Sequence, residues 1–148
     1  FEVVVAVDEY FTYADNDNTQ KDLVAQICSL ATEYVITTLR DYKNQDYKER
    51  EFSQPTIVKN GDQSYVFLEN HTWSQRDRAD WDSVIYAVNQ QDRSMQTYGN
   101  FVRRTMYFKQ LANFTASAGA QDFTVHKNLM YKGLIRKNYE HVITITFN

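Results

Sequence analysis

The chain has 148 residues, 43% of them hydrophobic and 24% charged, with a net charge of −3. That length suits a single domain spanning residues 1–148, and the composition excludes an intrinsically disordered chain. The one cysteine, Cys28, excludes an intrachain disulfide framework, and no run approaches the roughly 20 apolar residues of a membrane-spanning helix.

Residues 3–7 are Val- and Ala-rich and read as a short strand, followed over 8–18 by a polar connection that holds Tyr10, Phe11 and Tyr13. From Thr19 to about Lys43 the spacing turns helical. Leu23, Ile27, Leu30 and Tyr34 form one row; Val24, Cys28, Ala31, Val35, Leu39 and Tyr42 form the next. Thr19 is the expected N-cap, with Asp22 as a shortened capping-box partner. The β-branched run Val35–Thr38 weakens the helix, so packing must hold it there. Residues 44–53 are charged and read as a solvated connection.

Thr56–Lys59, then Asn60-Gly61, then Asp62–Leu68 is the strongest β signal, a hairpin for which Asn-Gly predicts a type I′ turn. Ser83–Asn89 reads as a strand and Gln90–Arg93 as a turn. Phe101–Ala112 reads as one long strand that interleaves basic and aromatic residues. Ala116–Ala120 is a small-residue loop, and residues 122–131 and 140–147 read as closing strands.

This order predicts an α+β fold, with one long N-terminal amphipathic helix packed on a bent, mainly antiparallel sheet of about six strands. Cone-shaped sheets of the nuclear-transport-factor type, or a flatter helix-on-sheet sandwich, are the analogous architectures.

The run Asp15-Asn-Asp-Asn18 invites a calcium reading. An EF-hand loop counted from Asp15 places Gln20 where glycine is needed and Gln26 where a bidentate glutamate is needed. The helix-start reading is therefore preferred. His71, His126 and His141 are scattered and Cys28 lies on an apolar stripe, so neither a metal site nor a cofactor is implied, and no catalytic residue is nominated. The sequons at Asn70 and Asn113 are as frequent as chance allows.

Residues 71–82 concentrate His71, Trp73, Arg76, Arg78, Trp81 and three Asp. An Asp–His pair walled by Trp is one reading, a Trp-anchored surface loop another, and an interface the third, because Trp and Arg dominate binding hot spots. Charge is also unevenly placed. Residues 1–100 hold 9 Lys/Arg against 17 Asp/Glu, and residues 101–148 hold 7 against 2. The two regions can pair within one fold, or the basic part can meet an anionic partner.

Three functions follow. The first is a non-enzymatic structural and assembly module of a virion, tail or secretion apparatus, acting through a protein partner or homo-oligomer. Its interface residues would be Trp73, Arg76, Arg78, Trp81, Phe101, Arg103 and Tyr107. The second is a small-molecule binder or small enzyme (lyase, isomerase or hydrolase) with a pocket inside a cone-shaped α+β barrel. The third, and lesser, is single-stranded nucleic-acid binding through the basic–aromatic strand 101–109. No compartment is assigned.

Overall fold

The computed structural model describes residues 1–7, 10–41, 55–73, 80–127 and 140–148. The chain divides into two compact units, Phe1–Gln45 with Thr105–Asn148, and Asp46–Arg104.

The first unit begins with β1 (Val3–Ala6), a 3-10 turn (Tyr10–Thr12), α1 (Asp17–Ser29) and β2 (Tyr34–Arg40). After the second unit it resumes with α2 (Phe108–Ser117), β7 (Asp122–His126) and β8 (Glu140–Thr146). Its sheet runs in the order β1-β2-β8-β7. β1 and β2 are parallel and joined through α1, while β8 is antiparallel to both β2 and β7. Val35, Leu39, Ile143 and Ile145 are fully buried in register-matched rows, together with Val24 of α1 and Leu111 of α2. α1 packs against β1 and α2, and α2 against β7.

The long helix expected over Thr19–Lys43 is therefore two elements. α1 stops at Ser29, and the Leu30 amide closes it onto Ile27 and Cys28 carbonyls. The chain then docks at once beside β1, with the Thr32 and Tyr34 amides donating to the Phe1 and Glu2 carbonyls at 2.7 and 2.9 Å. The β-branched run Val35–Thr38 becomes a central strand, flanked on both sides and buried on both faces at Val35, Thr37 and Thr38. A two-sided buried strand reads as a continuous apolar run, and spacings of three and four arise in it by accident.

The start of α1 also differs. Asn16, in an extended conformation, is the N-cap, and its Oδ1 accepts from the Thr19 amide at 2.9 Å. Thr19 sits three residues inside the helix and donates its hydroxyl to Asp15 Oδ1 at 3.0 Å. Asp15 and Asn16 thus serve the helix terminus and one another. Asn16→Ala is expected to lower stability by about 1 kcal/mol, whereas Asn16→Asp should be near neutral in a urea titration; equal losses for both would remove the capping role.

The second unit is a four-stranded antiparallel sheet in sequential order, β3 (Thr56–Asn60), β4 (Gln63–Trp73), β5 (Asp80–Asn89) and β6 (Met95–Arg104). The expected hairpin is present, with one correction. Asn60 pairs with Gln63, so the two loop residues are Gly61 and Asp62, and only Gly61 has positive φ (59°). Positive φ at the first loop position alone is the requirement of a II′ turn rather than I′.

The long strand expected over Phe101–Ala112 ends at Arg104, and α2 begins at Phe108. Phe108, Leu111, Ala112 and Thr115 have helical spacing, and Leu111 and Thr115 are fully buried. The expected small-residue loop at Ala116 is in part the last turn of α2. Among the described residues, two α-helices and eight strands in two sheets, with a parallel βαβ start, correct the α+β reading of one long helix on a six-strand sheet, and with it the cone-shaped barrel.

Candidate functional site

In α/β sheets, ligands collect at the carboxyl ends of parallel strands, where loops and helix N-termini converge. In the first unit that end is built by the β1–α1 connection, the end of β2, the start of β8 and the start of α2. Phe11, Thr12 and Ala14 are buried and pin the β1–α1 connection, so Tyr10 just before them and Tyr13 among them are held outward. A buried polar brace fixes this arrangement. Gln20 of α1, fully buried, donates through Nε2 to the Phe11 and Thr105 carbonyls at 3.4 and 3.3 Å. Gln110 of α2 donates to Asp17 Oδ1 and Gln20 Oε1 at 3.3 and 3.4 Å. The brace binds the first turns of both helices to the connection that precedes α1.

Around this brace stand the groups able to meet a ligand. Arg40, the last residue of β2, and Asp41, which follows it, are partly exposed. His141, the second residue of β8, lies opposite Leu39, its ring 5.7 Å from Phe108. His141 Nδ1 is buried with no hydrogen-bond partner, a polar atom placed where a ligand hydrogen bond would satisfy it. A shallow groove on α2 is lined by Tyr107, Lys109, Gln110, Asn113 and Phe114. Tyr107 is the N-cap of α2 and makes no side-chain cap bond, which leaves the first amides of α2 for another acceptor. Among the described residues, the groove is lined by α2 and its N-cap alone, and Arg40, Asp41 and His141 do not line it. Cys28 is buried, and burial pushes its thiol up to about 11, so it is inert packing. Among the described residues no group of His, Cys, Asp and Glu is placed to hold a metal, and no helix is long and apolar enough to cross a membrane.

Of the residues singled out from the sequence, Arg76 and Arg78 lie outside the described residues. Backbone register places Trp73 opposite Trp81, and Trp81 opposite Arg103, in one row across β4, β5 and β6; His71 and Phe101 both lie opposite Ser83. Arg103 is 6% exposed, its Nη1 3.6 Å from Glu69 Oε1, and the Ser83 hydroxyl donates to the same carboxylate oxygen. Tyr107 lies apart from this row in sequence, at the head of α2. The basic–aromatic strand 101–109 required for stacking single-stranded bases does not exist as one strand, because it breaks after Arg104 and Arg103 is buried in an ion pair. Arg40, Asp41, Tyr10, Tyr13 and His141 were not singled out; the signal that identifies their neighbourhood is a strand, a polar connection and a capped helix in succession.

No protein-family model matches the chain, and no curated protein is similar to it. Solved structures are similar in fold. The chain superposes on a sugar N-methyltransferase from a Streptoalloteichus species with a TM-score of 0.68 at 8% identity, covering 99% of this chain and 56% of that one. A SAM-bound amino pentose methyltransferase from Micromonospora echinaspora gives 0.65 at 7% identity, covering 100% and 58%. An S-adenosylmethionine-dependent methyltransferase from Clostridium acetobutylicum gives 0.63 at 8% identity, again covering 100% and 58%. The chain thus spans somewhat over half the length of these proteins. The likeness establishes a methyltransferase-like α/β fold. It runs against the reading of the chain as a structural assembly module of a virion, tail or secretion apparatus, since the solved structures of this fold are named as methyltransferases.

Proposed function

We propose that these 148 residues form part of a small-molecule-binding enzyme of the methyl-transfer type, with the ligand held at the carboxyl ends of β1 and β2. The observation that carries this reading is the convergence there of the braced β1–α1 connection, the two charged residues at the end of β2 and the unpartnered His141 Nδ1. The fold likeness supports the reaction class, because the matched proteins are named as methyltransferases and two are named with their methyl donor.

The residues present suit one wall of an adenosyl-donor site. Tyr10 or Tyr13 offers a ring for a purine face, and Asp41 offers an acceptor for ribose hydroxyls. No glycine stands in the β1–α1 connection, so contact there is made by side chains rather than by close backbone approach. When bound, such a donor supplies an electrophilic methyl group; this chain's residues would orient it and shield it from water. The second wall would come from polypeptide equivalent to the portion of the matched proteins outside the likeness.

Titration of the chain with S-adenosylmethionine or S-adenosylhomocysteine, followed by amide chemical shifts, tests the reading. Shifts confined to residues 10–16, 40–41, 107–110 and 141 are expected. A midpoint rise of about 3–5 °C should accompany them at ten times the dissociation constant. Shifts elsewhere, or none at saturating solubility, would reject the site.

A further inference from the structure

We propose that the free edge and outer face of β1 are a docking surface for polypeptide outside residues 1–148, which adds a strand parallel to β1 and lays an apolar helix over Val3, Val5 and Ile36. β1 ends the sheet order, and among the described residues it pairs with β2 alone. The Tyr34 amide donates to the Glu2 carbonyl at 2.9 Å, so by the alternation of a strand the backbone groups of Val3 and Val5 point away from β2, toward the open edge. The two faces of this sheet differ. Ala6, Val35, Thr37, Ile143 and Ile145 share the face that α1 and α2 cover, and all are buried. On the other face the register aligns Val5, Ile36, Thr144 and Thr124 in one row, and Val3, Tyr34, Thr146 and Asp122 in the next. There Val3, Val5 and Val7 are 46, 61 and 45% exposed.

The outer face changes character across the sheet, and that gradient locates the contact. Its β1–β2 part carries valine, tyrosine and isoleucine; its β8–β7 part carries threonine and Asp122. The far edge is blunted, because exposed Asp122 of β7 accepts the Thr124 hydroxyl at 3.1 Å and puts a charge on that strand. No charge stands between Val3 and Val7. Parallel strand pairs occur almost only where both faces of the sheet are covered, and here α1 and α2 cover one. Handedness says what covers the other. The β1–α1–β2 crossover sets α1 on the buried face, and a right-handed crossover that winds the opposite way from a strand beside the free edge carries its helix over the outer face. One added strand–helix unit therefore closes both the edge and the face. The fold likeness supplies the polypeptide for it: the matches take in 98–100% of this chain but only 56–58% of each matched chain. What remains exceeds the roughly 30 residues of such a unit. A second copy fits less well, since two-fold pairing of β1 with β1 is antiparallel and brings no helix to Val3 and Val5.

Benzoylphenylalanine placed at Val5 or, separately, at Thr124, and irradiated in the cells that make the protein, tests the proposal. Val5 is expected to give an adduct whose peptide lies outside residues 1–148 and carries apolar residues at strand or helix spacing; Thr124, on the polar side of the same face, is expected to give none. With the label at Val3, Val5→Asp should cut the adduct about tenfold or more. The same variant should leave circular dichroism and the urea midpoint of the chain unchanged, because Val5 is already 61% exposed. No adduct at Val5, an adduct to a second copy of residues 1–148, equal yields at Val5 and Thr124, or an adduct indifferent to Val5→Asp overturns the proposal. It rests on the fold likeness and not on the methyl-transfer reading, so a failed donor titration leaves it standing, and a missing adduct leaves the titration standing.

Discussion

Glu69→Ala is expected to lower the stability of the β3–β6 sheet by about 2–3 kcal/mol. Glu69 Oε1 faces the Arg103 guanidinium at 3.6 Å and accepts the Ser83 hydroxyl. Arg103 is almost wholly buried and Ser83 is fully so. Removing the carboxylate therefore takes an ion-pair partner from a buried cation and an acceptor from a buried hydroxyl, and such penalties exceed the modest net worth of the bonds themselves. The Glu69 side chain keeps 25% of its surface in water, which is why the loss falls below the range for breaking a fully buried pair. Arg103→Met should cost less, because it removes the charge along with its partner's duty and leaves an apolar side chain in the same space. The double variant Glu69→Leu with Arg103→Met should recover most of the loss. A thermodynamic cycle over these variants, measured by urea denaturation, reads the coupling directly. Strictly additive single losses would show that the two groups stabilise the sheet independently.

How much of this fold is legible in the sequence depends on how local each signal is. The β3–β4 hairpin is written in Asn60-Gly61 between two β-rich runs, and β8 in the alternation of Ile143 and Ile145 with Thr144 and Thr146. These need no knowledge of partners. β2 is different. It lies between β1 and β8, so its burial is two-sided, and Val35, Thr37, Thr38 and Leu39 are buried together. The resulting pattern continues the stripe of α1 without a visible break. Neither Gly nor Pro marks the turn at Leu30–Glu33; the boundary is set by pairing with β1, a contact at long range in sequence. The β-branched run was the one local sign, and propensity there carries more information than periodicity.

The break between β6 and α2 is hidden for the same reason. Thr105, Met106 and Tyr107 carry no turn chemistry, and Thr105 is held by a hydrogen bond from Gln20, 85 residues earlier. Aromatic and basic residues on both sides of the break then imitate a single amphipathic strand. The candidate site was least legible of all. Arg40, Asp41 and His141 are ordinary residues until β2 and β8 pair in register and bring the end of one beside the start of the other. The cluster at 71–82, by contrast, is conspicuous in composition, and its backbone register resolves into a row of Trp73, Trp81 and Arg103 within a sheet.

Phe11→Ala should produce the largest single loss in the other unit, about 3–5 kcal/mol, as for an aromatic side chain removed from a closed core. Phe11 is 0% exposed although it sits in a short connection, where backbone usually runs over the surface. Its side chain anchors the 3-10 turn, its carbonyl accepts from the buried Gln20 Nε2, and its ring meets Tyr10 edge-on at 6.1 Å. The cavity left by alanine cannot close by a simple shift, because Thr12 and Ala14 beside it are also buried and Gln20 is held from the other side by Thr105. Phe11→Leu retains most of the volume and should cost less than about 1.5 kcal/mol. The position of Phe11 links stability to the proposed site. If the buried ring is what holds Tyr10 and Tyr13 outward, Phe11→Leu should weaken adenosyl-ligand binding by more than its small stability loss, while Tyr10→Phe leaves stability unchanged. Denaturation and ligand titration of the same variants separate the two effects. A Phe11→Ala protein that loses under about 1 kcal/mol would mean that the connection folds back without its anchor, and the braced geometry at the strand ends would then have to rest on Gln20 and Gln110 alone.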